Sequence, residues 1–156
     1  MSVVGFDIGA KSCFIGVARQ GGIETIANEY SARSTPSVVS FGENQRFLGT
    51  SGQQKLVTNL KNTVHCFKQL VGRPYEDAIR EHYSQMLPYE LVKVDIGSGQ
   101  SRVGVNMNHL GKQTVFTMEQ ILGMLMAKLK TITEASQEGL KVNDCVITVP
   151  YYGGFG

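Results

Sequence analysis

The segment Gly5-Phe6-Asp7-Ile8-Gly9 sets a carboxylate at the end of an apolar run and a glycine at the start of a tight turn. Such a turn can aim several backbone N–H groups at a phosphate, while Asp7 holds a hydrated magnesium ion beside it. The same residues also suit a plain hairpin turn. On pattern alone that plainer reading is the commoner, because short Gly and Asp motifs abound. Lys68 falls in a helical stretch, on the side away from Leu60, Val64 and Phe67. Its charge could steady a transferring phosphoryl group or orient an attacking water; a solvated helix lysine is the bland alternative.

Other chemistry-bearing residues form no constellation. His65, His82 and His109 lack the mutual spacing of a metal site, and no cysteine pair stands near them. Cys13, Cys66 and Cys145 are odd in number and far apart, which suits reduced thiols in the cytoplasm rather than a disulfide scaffold. Cys13 and Cys145 fall in predicted strands and are expected to be buried, leaving Cys66 as the exposed thiol. Met118, Met124 and Met126 read as packing residues.

The elements that must position these residues follow from periodicity. Ser2 to Asp7, Cys13 to Arg19 and Gly22 to Ala27 predict antiparallel hairpins, and Pro36 to Phe41 a further strand. Between Gln53 and Val71, apolar residues recur every three or four positions. With Asn59, Asn62 and Thr63 as caps and Gly72 as a stop, this predicts two short helices. Tyr75 to Gln85 reads as an exposed helix. Leu91 to Val94, Ser101 to Val105 and Thr114 to Phe116 predict a second set of strands. Thr117 and Gln120 make a capping box before Ile121, Leu122, Leu125, Leu129 and Ile132, a helix ending near Gly139. Asp144 to Val149 is a continuous apolar strand of the kind buried within a sheet.

At 156 residues the chain has the size of one domain and is too small for a two-lobed enzyme. No apolar run approaches the length of a membrane helix, and 15 basic against 13 acidic residues are scattered rather than massed. Neither a membrane nor a nucleic acid is expected as a partner. Residues 151–156, Tyr-Tyr-Gly-Gly-Phe-Gly, carry no periodicity. The expectation is a chain that stops in mid-fold or bears a foreign tail.

Several segments, taken in order, resemble the heat-shock seventy-kilodalton chaperone superfamily: Gly5-Phe6-Asp7-Ile8-Gly9, Gly21 to Tyr30, Thr35-Pro36-Ser37-Val38-Val39-Ser40-Phe41, Asn62-Thr63-Val64, Phe67-Lys68, Gly72-Arg73 and Asp144 to Pro150. Met1 to Gly5, Val17-Ala18-Arg19 and Gly22 to Tyr30 look most like its 110-kilodalton branch. The resemblance implies an α/β fold, the actin-like (ribonuclease H-like) ATPase, of which residues 1–150 would supply an incomplete first lobe of β-hairpins and an upper α/β subdomain. It implies ATP or ADP with Mg2+ as ligands, and nucleotide exchange on a 70-kilodalton heat-shock chaperone as the activity. Unfolded client polypeptides would be further partners in a full-length form, and the cytoplasm the compartment, with the nucleus as an additional one.

Carried over residue by residue, the resemblance makes Asp7 the magnesium-side carboxylate, acting through water. Gly9, Ala10 and Lys11 become the first phosphate-contacting turn, and Lys68 the lysine facing the γ-phosphate and attacking water. Hydrolytic relatives carry two threonines where this chain has Ala10 and Lys11, so the hydroxyls at the phosphates are missing. Binding without rapid turnover is therefore expected in preference to a 70-kilodalton-type ATPase. A truncated interaction protein without nucleotide chemistry is the third reading.

Overall fold

The computed structural model describes residues 3–149 of the chain; the glycine-rich ending, expected to be a foreign tail or a stop in mid-fold, lies outside the described residues. Strands β1 (Val3–Ile8) and β2 (Ser12–Arg19) form the first hairpin, and β3 (Gly22–Thr25) continues the meander. Alternation decides which face is inward. Val4, Phe6 and Ile8 of β1 lie opposite Val17, Ile15 and Cys13 of β2, and all six are buried.

The strand expected over Pro36 to Phe41 is two strands in two different sheets. Ser34–Pro36 (β4) pairs with β2, whereas Val39–Phe41 (β5) sits between Arg46–Leu48 (β6) and Thr63–Val64 (β7). Proline cannot donate to a ladder, and the chain changes sheets directly after Pro36.

The two helices expected between Gln53 and Val71 are likewise corrected. Helix α1 covers Thr50–Gln54, followed by isolated 3-10 turns at Leu60–Asn62 and Lys68–Leu70 that flank β7. The cap residues work across the fold instead. Asn59 donates through Nδ2 to the Phe41 carbonyl at 2.9 Å, and Asn62 Oδ1 accepts the Asn108 N–H at 3.1 Å. With those side chains bonded to neighbouring strands, no local cap is available to extend a helix.

The exposed helix expected over Tyr75 to Gln85 is divided into α2 (Tyr75–Arg80) and α3 (Tyr83–Met86), parted by His82 in a left-handed conformation at φ 61°. Strands β8 (Leu91–Gly97), β9 (Gln100–His109) and β10 (Lys112–Thr117) make a third, antiparallel sheet, longer than the sequence suggested. Phe116 of this sheet stacks on Phe41 of β5 with ring centroids 4.8 Å apart, and the His109 ring meets Phe41 edge-on at 5.4 Å.

Helix α4 (Met118–Ser136) starts at the expected capping box. The Gln120 N–H donates to Thr117 Oγ1 at 3.2 Å, and the Thr117 N–H donates to Gln120 Oε1 at 2.8 Å. Met118, Ile121, Leu125, Leu129 and Ile132 form its buried stripe. The helix closes when the Gly139 N–H reaches back to the Glu134 carbonyl at 2.8 Å, a Schellman bond that needs Glu138 at φ 57° and Gly139 at φ 83°. Glu134 also accepts the Val142 N–H at 3.0 Å. That bond, with Lys141 nearby, holds its carboxyl below the usual range and steers the chain into the last strand.

Strand β11 (Cys145–Ile147) runs parallel to β1, with Gly5 opposite Val146. The expected buried strand is here an edge strand: Val146 is 61% exposed and Val149 80% exposed. Cys145 is exposed for the same reason, because among the described residues β1 is its only neighbour in the sheet order β11-β1-β2-β3. Cys66, expected to be the exposed thiol, is half-buried, and Cys13 is fully buried. Among the described residues no helix is long and apolar enough to cross a membrane.

The thiol order follows from this burial. With a chromogenic disulfide reagent under native conditions, Cys145 is expected to react first, Cys66 more slowly, and Cys13 only after denaturant is added. Fast native modification of Cys13 would contradict the packing of β1 on β2.

Candidate functional site

The hairpin between β1 and β2 is closed by backbone. The Gly9 N–H donates to the Ser12 carbonyl at 3.0 Å. A Cβ on Gly9 would lie 2.5 Å from that oxygen, so a side chain at position 9 would force the bend apart. Ala10 and Lys11 are exposed at the tip, and among the described residues their N–H groups meet no acceptor. Of the three amides that the sequence assigns to this turn, one is committed inside the chain and two face outward unpaired.

Ser37 grips the bend from behind. It follows β4 directly and is buried; its hydroxyl donates to the Gly9 carbonyl at 2.8 Å and its N–H to the Lys11 carbonyl at 2.9 Å. The Cys13 thiol lies 3.2 Å from the same hydroxyl oxygen. Burial pushes this thiol up, and the Ser37 and Gly9 hydrogen bonds only partly offset that. The Asp7 carboxylate adds to the rise and the Lys68 ammonium opposes it. Both charges therefore act on one buried atom, although they lie far apart in sequence.

Asp7 is exposed at the end of β1, and its Oδ1 accepts the Thr148 hydroxyl at 2.8 Å. The parallel register of β1 and β11 makes this contact possible. It continues one step past β11, where the Thr148 N–H donates to the Phe6 carbonyl at 3.1 Å. Thr148 also lines an open groove of about 670 Å³, together with Ile8, Lys68, Arg73 and Met126. Lys68 opens its own 3-10 turn, held down by the buried Phe67 and Leu70 on either side. The lining of the groove combines the cationic Lys68 and Arg73 with apolar side chains such as Ile8, Val71, Leu122 and Met126. Arg73 is drawn to Glu81 at 2.6 Å and lies 5.9 Å over the Tyr83 ring; the Glu81 bond chiefly raises the guanidinium further.

Asp7 and the Gly9–Lys11 bend share the end of β1, and the Asp7 and Lys68 charges both act on Cys13. Asp7 itself lines a second groove with Phe14 and Val146, and Thr148 is the residue common to that groove and the one Lys68 lines. Sequence reasoning passed over Ser37, Thr148 and Arg73. Two of these are hydroxyls within apolar strand sequence, where a buried or charge-paired hydroxyl needs a partner, and that partner was the missing signal.

One exposed carboxylate with hard oxygen atoms suits a magnesium ion that keeps most of its water and is shared with phosphate. No cluster of three His, Cys, Asp or Glu residues able to cage a metal occurs among the described residues. The unpaired amides and the Lys68 ammonium suit phosphate oxygens.

Comparison with known proteins agrees with the resemblance. A family profile described as Hsp70 protein matches residues 3–154. The chain is 46% identical over 153 residues to "Heat shock protein 110" of Caenorhabditis elegans, covering 97% of this chain and 19% of that protein. It is 48% identical over 154 residues to "Heat shock 70 kDa protein 4L" of Homo sapiens, covering 97% of this chain and 18% of that protein. With the "97 kDa heat shock protein" of Strongylocentrotus purpuratus the identity is 46% over 152 residues, covering 97% and 16%. The chain therefore spans less than a fifth of the length of these relatives.

The Asp7–Thr148 bond is open to a double-mutant cycle by urea unfolding. Thr148→Val keeps the side-chain shape and removes the donor, and is expected to cost about 0.5–1.5 kcal/mol. In an Asp7→Asn background the same change should cost clearly less, because the charge that strengthens the bond is gone. Additive effects would show that the two side chains do not interact.

Proposed function

The chain belongs to the Hsp70 family, and we propose that its exposed bend, Asp7 and Lys68 form one wall of a site for ATP or ADP. It carries an incomplete first lobe of the actin-like ATPase fold, within a family of heat-shock chaperones. The observation that carries the proposal is the convergence just described. Thr148 bonds the Asp7 carboxylate and also lines the groove of Lys68, and the two unpaired amides follow Asp7 at the end of β1.

Each group has a distinct task in this reading. The Ala10 and Lys11 N–H groups donate to phosphate oxygens. Asp7 accepts hydrogen bonds from the water shell of a magnesium ion, which when bound neutralises phosphate charge. Lys68 presents its ammonium to the terminal phosphoryl group. Gly9 keeps the bend tight enough for this approach, while Thr148 leaves one oxygen of Asp7 free.

The chemistry at the bend favours holding nucleotide over hydrolysing it. Catalysis of phosphoryl transfer depends on positioned polar groups around the phosphates, and Ala10 and Lys11 supply amides but no hydroxyls. That supports a protein of the 110-kilodalton type, which would use bound ATP to engage a 70-kilodalton heat-shock chaperone and promote its release of ADP. Binding of unfolded client polypeptides, and residence in the cytoplasm and nucleus, belong to the same proposal.

Enclosure governs affinity, since a tightly held ligand has most of its surface buried. In titration calorimetry with magnesium-ATP, the 156-residue chain alone is expected to show no micromolar binding. Addition in trans of the remaining nucleotide-domain segment of one of the relatives should bring affinity into the micromolar range. Micromolar binding by the lone chain, or no gain from the added segment, would contradict the half-site reading.

A further inference from the structure

We infer that Ser37 is a positioning residue of the phosphate-contacting bend, which it orients by holding two of its carbonyl oxygens away from the ligand. This rests on the phosphate reading above and assigns the control of that site to a residue that touches no ligand. The argument begins with peptide geometry. A trans peptide unit points its C=O and its N–H in opposite directions, and no cis bond occurs among the described residues. The Ser37 hydroxyl fixes the Gly9 carbonyl at 2.8 Å, so the Ala10 N–H of the same peptide plane is turned away from Ser37. The Ser37 N–H fixes the Lys11 carbonyl at 2.9 Å and turns the Ser12 N–H in the same way.

Proton counting fixes the direction of the chain of hydrogen bonds. A serine hydroxyl has one proton, and here it goes to the Gly9 carbonyl. The Cys13 thiol, 3.2 Å from the hydroxyl oxygen, is therefore the donor in that contact. The order is Cys13 S–H to Ser37 O–H to Gly9 C=O, with every partner neutral. Cys13 and Ser37 are 0% and 2% exposed, so water does not substitute for either. Burial raises the thiol in keeping with a proton held there. Without the hydroxyl, the Gly9–Ala10 plane is free to rotate and present its carbonyl oxygen to an anion, which is repulsive.

The test uses the 15N-labelled chain and inorganic tripolyphosphate as the probe. In the wild type, the Ala10 N–H resonance is expected to move downfield and saturate as tripolyphosphate is added, while Gly111, in a remote turn, stays still. Ser37→Ala should weaken that response roughly three- to tenfold, the share of one hydrogen bond. Ser37→Thr, which keeps the hydroxyl, should titrate within about twofold of the wild type. A Ser37→Ala spectrum that overlays elsewhere, with an unchanged Ala10 titration, would overturn the inference. If Ser37→Ala does not fold, Ser37→Thr decides: wild-type response supports the clamp, and loss of the response in a folded protein overturns it. A wild-type Ala10 that does not respond at all sinks the phosphate reading itself, a failure distinct from equal titration of wild type and variant.

Discussion

The parallel pairing of β1 with β11 is the constraint on which the rest of the structure depends. β1 is hydrogen-bonded on both sides, antiparallel to β2 and parallel to β11. Parallel neighbours cannot be joined by a tight turn, so everything between them must leave the sheet and return. The upper sheets occupy that excursion, and α4 brings the chain back along a stripe of buried Leu and Ile. When it returns, Thr148 arrives beside Asp7. A contact between residues 141 positions apart thus follows from the register of one strand pair.

The bend after β1 divides its labour between backbone and side chains. Amide donors come with any residue, so an Ala10-Lys11 tip can still offer N–H groups to phosphate. Hydroxyl groups at the reacting phosphoryl need particular side chains, and these two positions have none. In the proposed reading, retaining the first capacity without the second would separate nucleotide binding from turnover at the level of two residues. The cost of holding such a bend open falls on Gly9 and Ser37, neither of which is a ligand-contacting side chain in this account.

Strict alternation made the first hairpin legible in sequence, and a capping box with a heptad-like stripe did the same for α4. The bend itself was legible only as a short motif, whose meaning changed once the resemblance placed Lys68 beside it. What stayed hidden depended on distant partners. Asn59 and Asn62 have the chemistry of caps, yet the structure uses them on β5 and β9, and the helices that they might have started shrink to single turns. Pro36 marks a change of sheet that local β-propensity cannot register. Cys145 and Val146 are composed like a buried strand, and their exposure reflects that, among the described residues, β11 has a neighbour on one side alone. An apolar run reports what a strand would pack against, without reporting whether that surface is present in the same polypeptide.

The most direct measurement of the central claim is a crystal structure of the chain, assembled with a relative's remaining nucleotide-domain segment, in the presence of magnesium and a non-hydrolysable ATP analogue. The account predicts phosphate oxygens within hydrogen-bond distance of the Ala10 and Lys11 amides, with Lys68 Nζ at the terminal phosphate and the metal's water on Asp7. Phosphates seated elsewhere, with the bend turned from the groove and Asp7 still facing solvent, would contradict it.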